Sequence, residues 1–234
     1  MSLKPDAWIR SKCIGLQDDE VPMIEPFYDN LRKEDQGRAL PSFGLSSYGY
    51  DVRLGNSFTF APRTEVGLGN YAGPSNVVCM HHNGSAKRHM LPIANRSLII
   101  DLDGNSTDTN RMQPSDYVTI DDVEYIDLPP GAFVLGVTME LIALPRDVTV
   151  VCMGKSTVAR AGVIVTVTPL EAGWEGYVTL EITNTNSVPV RLYSGMGITQ
   201  LQFYHHADEQ CEVSYADRKG KYMGQEYKPV TARL

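Results

Sequence analysis

The chain has 234 residues, 42% hydrophobic and 21% charged, which suits one large domain or a domain with an elaborate insertion and excludes a disordered chain. Its formal charge of −7 excludes the broad basic face that a long nucleic acid requires, whereas a single nucleotide requires only a few local cations. The cysteines Cys13, Cys79, Cys152 and Cys211 are far apart and form no C-x-x-C pair, which excludes a zinc ribbon and favours free thiols in a reducing cytosol over a disulfide framework.

The opening Met1-Ser2-Leu3-Lys4-Pro5-Asp6 lacks the apolar run of a signal peptide, and no window has the length of a membrane span. A soluble, cytoplasmic protein with no membrane partner is expected. Pro5 suits the first turn of a short helix whose inner side is Trp8 and Ile9. Residues 15–45 read as irregular, because Pro22, Pro26 and Pro41 interrupt them. The run from Ser46 to Leu54 reads as a turn entering a strand, with Gly49 between two tyrosines where another backbone passes close.

Residues 61–116 differ in kind, being rich in Gly, Asn, Ser and Asp and holding His81, His82 and His89. Asn76 to Met80 and Ser97 to Ile100 read as strands of a hairpin inserted into a single core domain spanning 1–234. From 117 to 206 short apolar strands follow one another: Phe133 to Val137, Val148 to Cys152, Val163 to Val167 and Tyr177 to Ile182. Proline and glycine punctuate them closely, which predicts an antiparallel sandwich, jelly roll or barrel. The stretch Arg218 to Gln225 is basic and glycine-containing, and reads as a mobile tail that orders over an anion.

Two motifs carry chemistry. Gly154-Lys155-Ser156-Thr157-Val158-Ala159-Arg160 groups two cations and two hydroxyls, a set suited to charge-assisted hydrogen bonds with phosphate. It is not a P-loop, because Thr149 stands where that loop needs a glycine. The plain alternative is an exposed polar turn. Farther on, Val178, Leu180 and Ile182 share one strand face and Tyr177, Thr179, Glu181 and Thr183 the other. Glu181 is then either a solvent-facing glutamate or a general base on a rigid element. Zinc nucleobase deaminases need an H-x-E and a P-C-x-x-C signature, and neither is present. Cys79-Met80-His81-His82 offers too few well-spaced ligands for a metal site, so no metal-binding residue is assigned. His205-His206 reads as a surface pair at a strand end.

Taken together, Gly154 to Arg160, Val167 to Gly176 and Val178 to Glu181 resemble the dCTP deaminase family of the dUTPase-like superfamily. Trp8-Ile9-Arg10 with Ile24 to Phe27, Ser46 to Arg53, and Cys211 to Gln225 agree with it. The likeness is collinear and lies before residue 61 and after residue 116. It implies a mainly β, dUTPase-like β-clip or distorted jelly roll with a short N-terminal helix, assembled as a homotrimer with sites between subunits. It implies zinc-independent hydrolysis of dCTP to dUTP and ammonia, with Mg2+ carried by the triphosphate.

By position, the resemblance makes Glu181 the catalytic glutamate and general base, helped by Arg160 and Ser156. It assigns nucleotide contacts to Lys155, Ser156, Thr157 and Arg160, base contacts to Thr179 and Leu180, and closing contacts to Gln200, Tyr215, Lys221 and Gln225. Two departures stand out: residues 61–116 are longer than the family's usual connection, and Glu171-Ala172-Gly173 replaces an Asp-Pro-Gly turn tied to pyrophosphate release. The second favours a pure deaminase over a dUTPase or a bifunctional enzyme. A non-catalytic nucleotide-binding regulator is the remaining alternative, against which Glu181 and Arg160 both speak.

Overall fold

The computed structural model describes residues 1–35, 37–64, 76–94, 100–103 and 105–233. It is mainly β, with a short N-terminal helix at Asp6–Ser11, as the sequence predicts. Pro5 caps that helix and Ile9 is fully buried beneath it.

Two six-stranded sheets make the body. In the first, Gly197–His205 lies between Val148–Gly154 on one side and Gly49–Arg53 with Ser2–Leu3 on the other, and the sheet continues from Gly49–Arg53 through Arg38–Ser46 to Arg32–Asp35. In the second, Phe133–Ala143 and Glu175–Asn184 pair antiparallel at the centre, flanked by Phe58–Phe60 with Val118–Ile120 on one side and by Val163–Thr166 on the other. Their facing side chains merge into one apolar core, in which Tyr50, Val52, Phe58, Val134, Ile142, Val150, Leu180, Ile182 and Phe203 are fully buried. The strand expected at Tyr177 to Ile182 occupies Glu175–Asn184, and its inner and half-open positions alternate as expected.

A buried ion pair crosses between the sheets. Arg53 Nε donates to Glu140 Oε1 at 2.7 Å and the Arg53 backbone N–H to Glu140 Oε2 at 2.8 Å. The two side chains are 5% and 0% exposed. Charges so placed are tolerated only with such complete hydrogen bonding. The pair lies beside the site strand, since Thr138 Oγ1 donates to the Glu140 carbonyl and accepts from the Val178 N–H.

Residues 15–45 are more ordered than their prolines predict, forming Ile24–Glu25, Arg32–Asp35 and Arg38–Ser46. Pro41 is accommodated because the register slips there. Arg32 faces Phe43 while Glu34 faces Ala39, so extra residues bulge out around the proline, where no ladder donor is needed. Gly49 does sit against a neighbouring backbone, and an added Cβ would lie 2.7 Å from the Leu201 carbonyl oxygen.

A third sheet orders Val190–Tyr193, Val123–Leu128, Asn76–His81 and Ala86–Met90. The strand expected near Asn76 is present, and its hairpin partner is Ala86–Met90. Of the partner expected at Ser97 to Ile100, residues 97–99 lie outside the described residues and Ile100 is not in a strand.

Candidate active site

Strand alternation sends Val178, Leu180 and Ile182 into the core and leaves Tyr177, Thr179 and Glu181 on the half-open face. Glu181 stands between Leu135 and Thr166 on the neighbouring strands, so its backbone is held on both sides. It lines a cavity of about 550 Å3 with Leu135, Val167, Trp174, Thr179, Tyr215 and Gln225. That volume suits one small-molecule ligand.

The electrostatics single Glu181 out. Its Oε2 is buried and has no hydrogen-bond partner among the described residues. Burial pushes its carboxyl pKa up to about 6 from 4.5. Burial, together with the Glu181 charge, also pushes the Cys152 thiol up to about 12. A carboxylate poised near neutrality, aimed into a cavity and lacking a donor is equipped to take a proton from water.

The C-terminal segment closes one side of this cavity. It was expected to be mobile until an anion bound, and the structure instead packs it on the chain's own surface. Thr179 Oγ1 donates to Gln225 Oε1 at 2.7 Å, and the Tyr177 N–H donates to the Gln225 carbonyl at 3.0 Å. Trp174 Nε1 donates to the Tyr222 carbonyl at 3.1 Å, and the Tyr222 N–H donates to Tyr215 Oη at 3.0 Å. These neutral hydrogen bonds are joined by an ion pair between Arg218 and Glu171, so the segment's partners lie on the chain itself. Gly176, at φ +147°, permits the approach, because a Cβ there would lie 2.7 Å from the Gln225 nitrogen. Lys221 points away from these contacts and donates to the Arg233 carbonyl at 3.5 Å.

The run expected to bind an anion, Gly154 to Arg160, lies elsewhere in the chain. The strand Val148–Gly154 delivers it, and Ser156–Arg160 forms one short helical turn. Val158 is buried beneath, while Ser156, Thr157 and Arg160 are exposed. Arg160 makes no ion pair among the described residues. Lys155 is drawn inward to an ion pair with Asp51, where its side chain is 11% exposed. Gln200 Nε2 completes this cluster, donating to Asp51 Oδ1 at 3.1 Å and reaching Ser46 Oγ at 3.4 Å.

Within one chain, then, Thr179, Glu181, Tyr215 and Gln225 share a cavity. Lys155, Ser156, Thr157, Arg160 and Gln200 are not among its lining residues, and neither are buried Leu180 and exposed Lys221. The sequence reading missed Asp51 and the Arg53–Glu140 pair. Asp51 had a usable signal, since a carboxylate alternating with core residues in a strand requires a partner.

A family model described as dCTP deaminase-like matches residues 91–206. The chain is 38% identical over 225 residues to a dCTP deaminase of Neisseria meningitidis serogroup A, covering 96% of each. It is 41% identical over 227 residues to a dCTP deaminase of Psychrobacter arcticus, again covering 96% of each. Among solved structures, a 2'-deoxycytidine 5'-triphosphate deaminase from Agrobacterium tumefaciens is similar at a TM-score of 0.49 and 17% identity, over 87% of this chain and 48% of that one.

Proposed function

The chain belongs to the dCTP deaminase family, and from that membership and the geometry around Glu181 we propose that it hydrolyses dCTP to dUTP and ammonia. The observation that carries the reading is the buried, unpartnered Glu181 Oε2 facing a cavity of nucleotide size. Glu181 takes a proton from water as the oxygen attacks C4 of cytosine. It passes the proton to N3, and a second transfer from the added hydroxyl to the amino group releases ammonia. Such proton shuttling is worth about 10²–10⁴ in rate. Ser156 and Arg160 hold the water and the charge that builds on it.

Thr179 and Leu180 contact the base through side chain and backbone, on the same strand as Glu181. The substrate is the magnesium complex of dCTP, and Lys155, Thr157 and Lys221 offset its triphosphate charge. The deamination itself requires no zinc, and among the described residues the cavity lining offers carboxylates and hydroxyls but no histidine or cysteine. The protein works as a cytoplasmic homotrimer. The separation of the Lys155–Arg160 run from the Glu181 cavity within one chain supports sites completed by a neighbouring subunit.

Glu171 lines the same cavity but is engaged by Arg218. That engagement favours a pure deaminase over a bifunctional enzyme, which needs a second free carboxylate to activate water at phosphorus. Incubating the protein with dCTP and magnesium and chromatographing the products tests this reading. Ammonia and dUTP without pyrophosphate support it, whereas unchanged dCTP refutes it and pyrophosphate establishes the bifunctional alternative.

A further inference from the structure

A second constellation lies in the hairpin Asn76–His81 and Ala86–Met90, among residues the deamination does not use. Alternation buries Val77, Cys79 and His81 on one face of the first strand. His89 lies opposite Val77 on the second strand and shares that face. The three polar groups converge. Cys79 Sγ lies 3.5 Å from His81 Nε2, and His81 Nε2 lies 3.2 Å from His89 Nε2. All three ligand atoms fall within 4.8 Å of one another.

The 3.5 Å and 3.2 Å spacings match those around a tetrahedral ion. With metal–sulfur bonds of about 2.3 Å and metal–nitrogen bonds of about 2.0–2.1 Å, ligand atoms sit roughly 3.3–3.6 Å apart. Direct hydrogen bonding without an ion leaves the Cys79 thiol a long contact, Sγ to the Lys87 carbonyl at 3.8 Å. His81 Nδ1 lies 3.2 Å from the Asp122 carbonyl, which has no proton to give. The ring therefore carries its proton on Nδ1 and leaves one lone pair on Nε2. That lone pair faces both Cys79 Sγ and His89 Nε2. An ion at their common point satisfies all three groups. A ring whose outer N–H is fixed by a backbone carbonyl is also the usual arrangement of a metal-bound histidine.

We propose that Cys79, His81 and His89 bind one Zn2+ ion, with the fourth position left to water. One thiolate with two imidazoles is a borderline-soft set that suits zinc and excludes calcium or magnesium as the natural occupant. The ion ties the two hairpin strands together. Through His81 it also ties them to Asp122, at the turn before Val123–Leu128. The ion is separate from the deamination, for none of its ligands lines the Glu181 cavity.

The test uses the full chain, stripped of metal and titrated with Zn2+ against a chromophoric chelator. One ion per chain is expected. His89→Ala, at a half-buried position, and Cys79→Ser should each weaken binding by at least about ten-fold. His206→Ala, at a histidine outside the cluster, should not. Co2+ in place of Zn2+ should give a thiolate charge-transfer band that Cys79→Ser abolishes. Zn2+ should raise the Tm of the unsubstituted chain and leave that of His89→Ala unmoved. Clearly substoichiometric binding, a Co2+ spectrum without the thiolate band, or undiminished affinity in a folded Cys79→Ser/His89→Ala chain would each overturn the proposal.

Discussion

Thr179 Oγ1 and Gln225 Oε1 lie 2.7 Å apart, which fastens the C-terminal segment to the strand that carries Glu181. Thr179 also accepts from the Val230 N–H at 3.1 Å, so one hydroxyl anchors the segment at two places. The wall of the cavity and Glu181 inside it are therefore positioned together.

Gly176→Ala tests that wall without touching a polar group. A methyl at this position would collide with the Gln225 backbone, so the segment must shift while the Glu175–Asn184 strand stays paired. KM should rise and kcat should fall together, as expected when a closing element is displaced. Unchanged kinetics for dCTP would show that the segment does not bear on catalysis.

The raised pKa of Glu181 sets the pH dependence. A base must be ionised, so kcat/KM should climb as pH rises through about 6. Stability runs the other way. The folded carboxyl binds its proton more tightly than the unfolded one, so the cost of burying the charge is absent below about 4.5 and fully present above about 6. Glu181→Gln should thus raise the denaturant midpoint above pH 6 and change it little below pH 4.5. A midpoint shift equal at both ends would contradict the burial of a charged Glu181.

The alternation that placed Glu181 on the open face was legible because a strand's side-chain period is two. The body of antiparallel strands after residue 117 was legible from the same rhythm. Other relationships depend on contacts distant in sequence. Nothing local to Gln225 or Tyr222 says that they return to Thr179 and Trp174. Pro41 pointed to a break, and only the bulge opposite Lys33 explains why a strand survives it. His89 went unnoticed as a neighbour of Cys79 and His81 because hairpin register had not been set, although Asn83-Gly84 is a strong hairpin signal.

The Arg53–Glu140 pair should be costly to break from one side. Arg53→Met leaves Glu140 buried without its cation, and the chain should lose about 3–5 kcal/mol of stability. The double variant Arg53→Met/Glu140→Leu should recover much of that loss. Chemical denaturation of the three chains measures it, and a single variant as stable as the parent would show that Glu140 finds other solvation.

Shared sites between subunits predict complementation. Arg160→Ala and Glu181→Gln chains should each be inactive alone. After dissociation and joint reassembly, some interfaces regain both an intact Arg160 and an intact Glu181, and deaminase activity should return. Continued inactivity of properly assembled mixed oligomers would mean that both residues serve one chain's own site.

The most direct test of the central claim compares dCTP turnover and dCTP binding in the Glu181→Gln chain. The amide preserves the shape of the side chain but cannot accept a proton from water. Deamination should fall by about 10³ or more, while dCTP affinity stays close to that of the parent. A glutamine variant that keeps a tenth of the parent rate would contradict Glu181 as the general base.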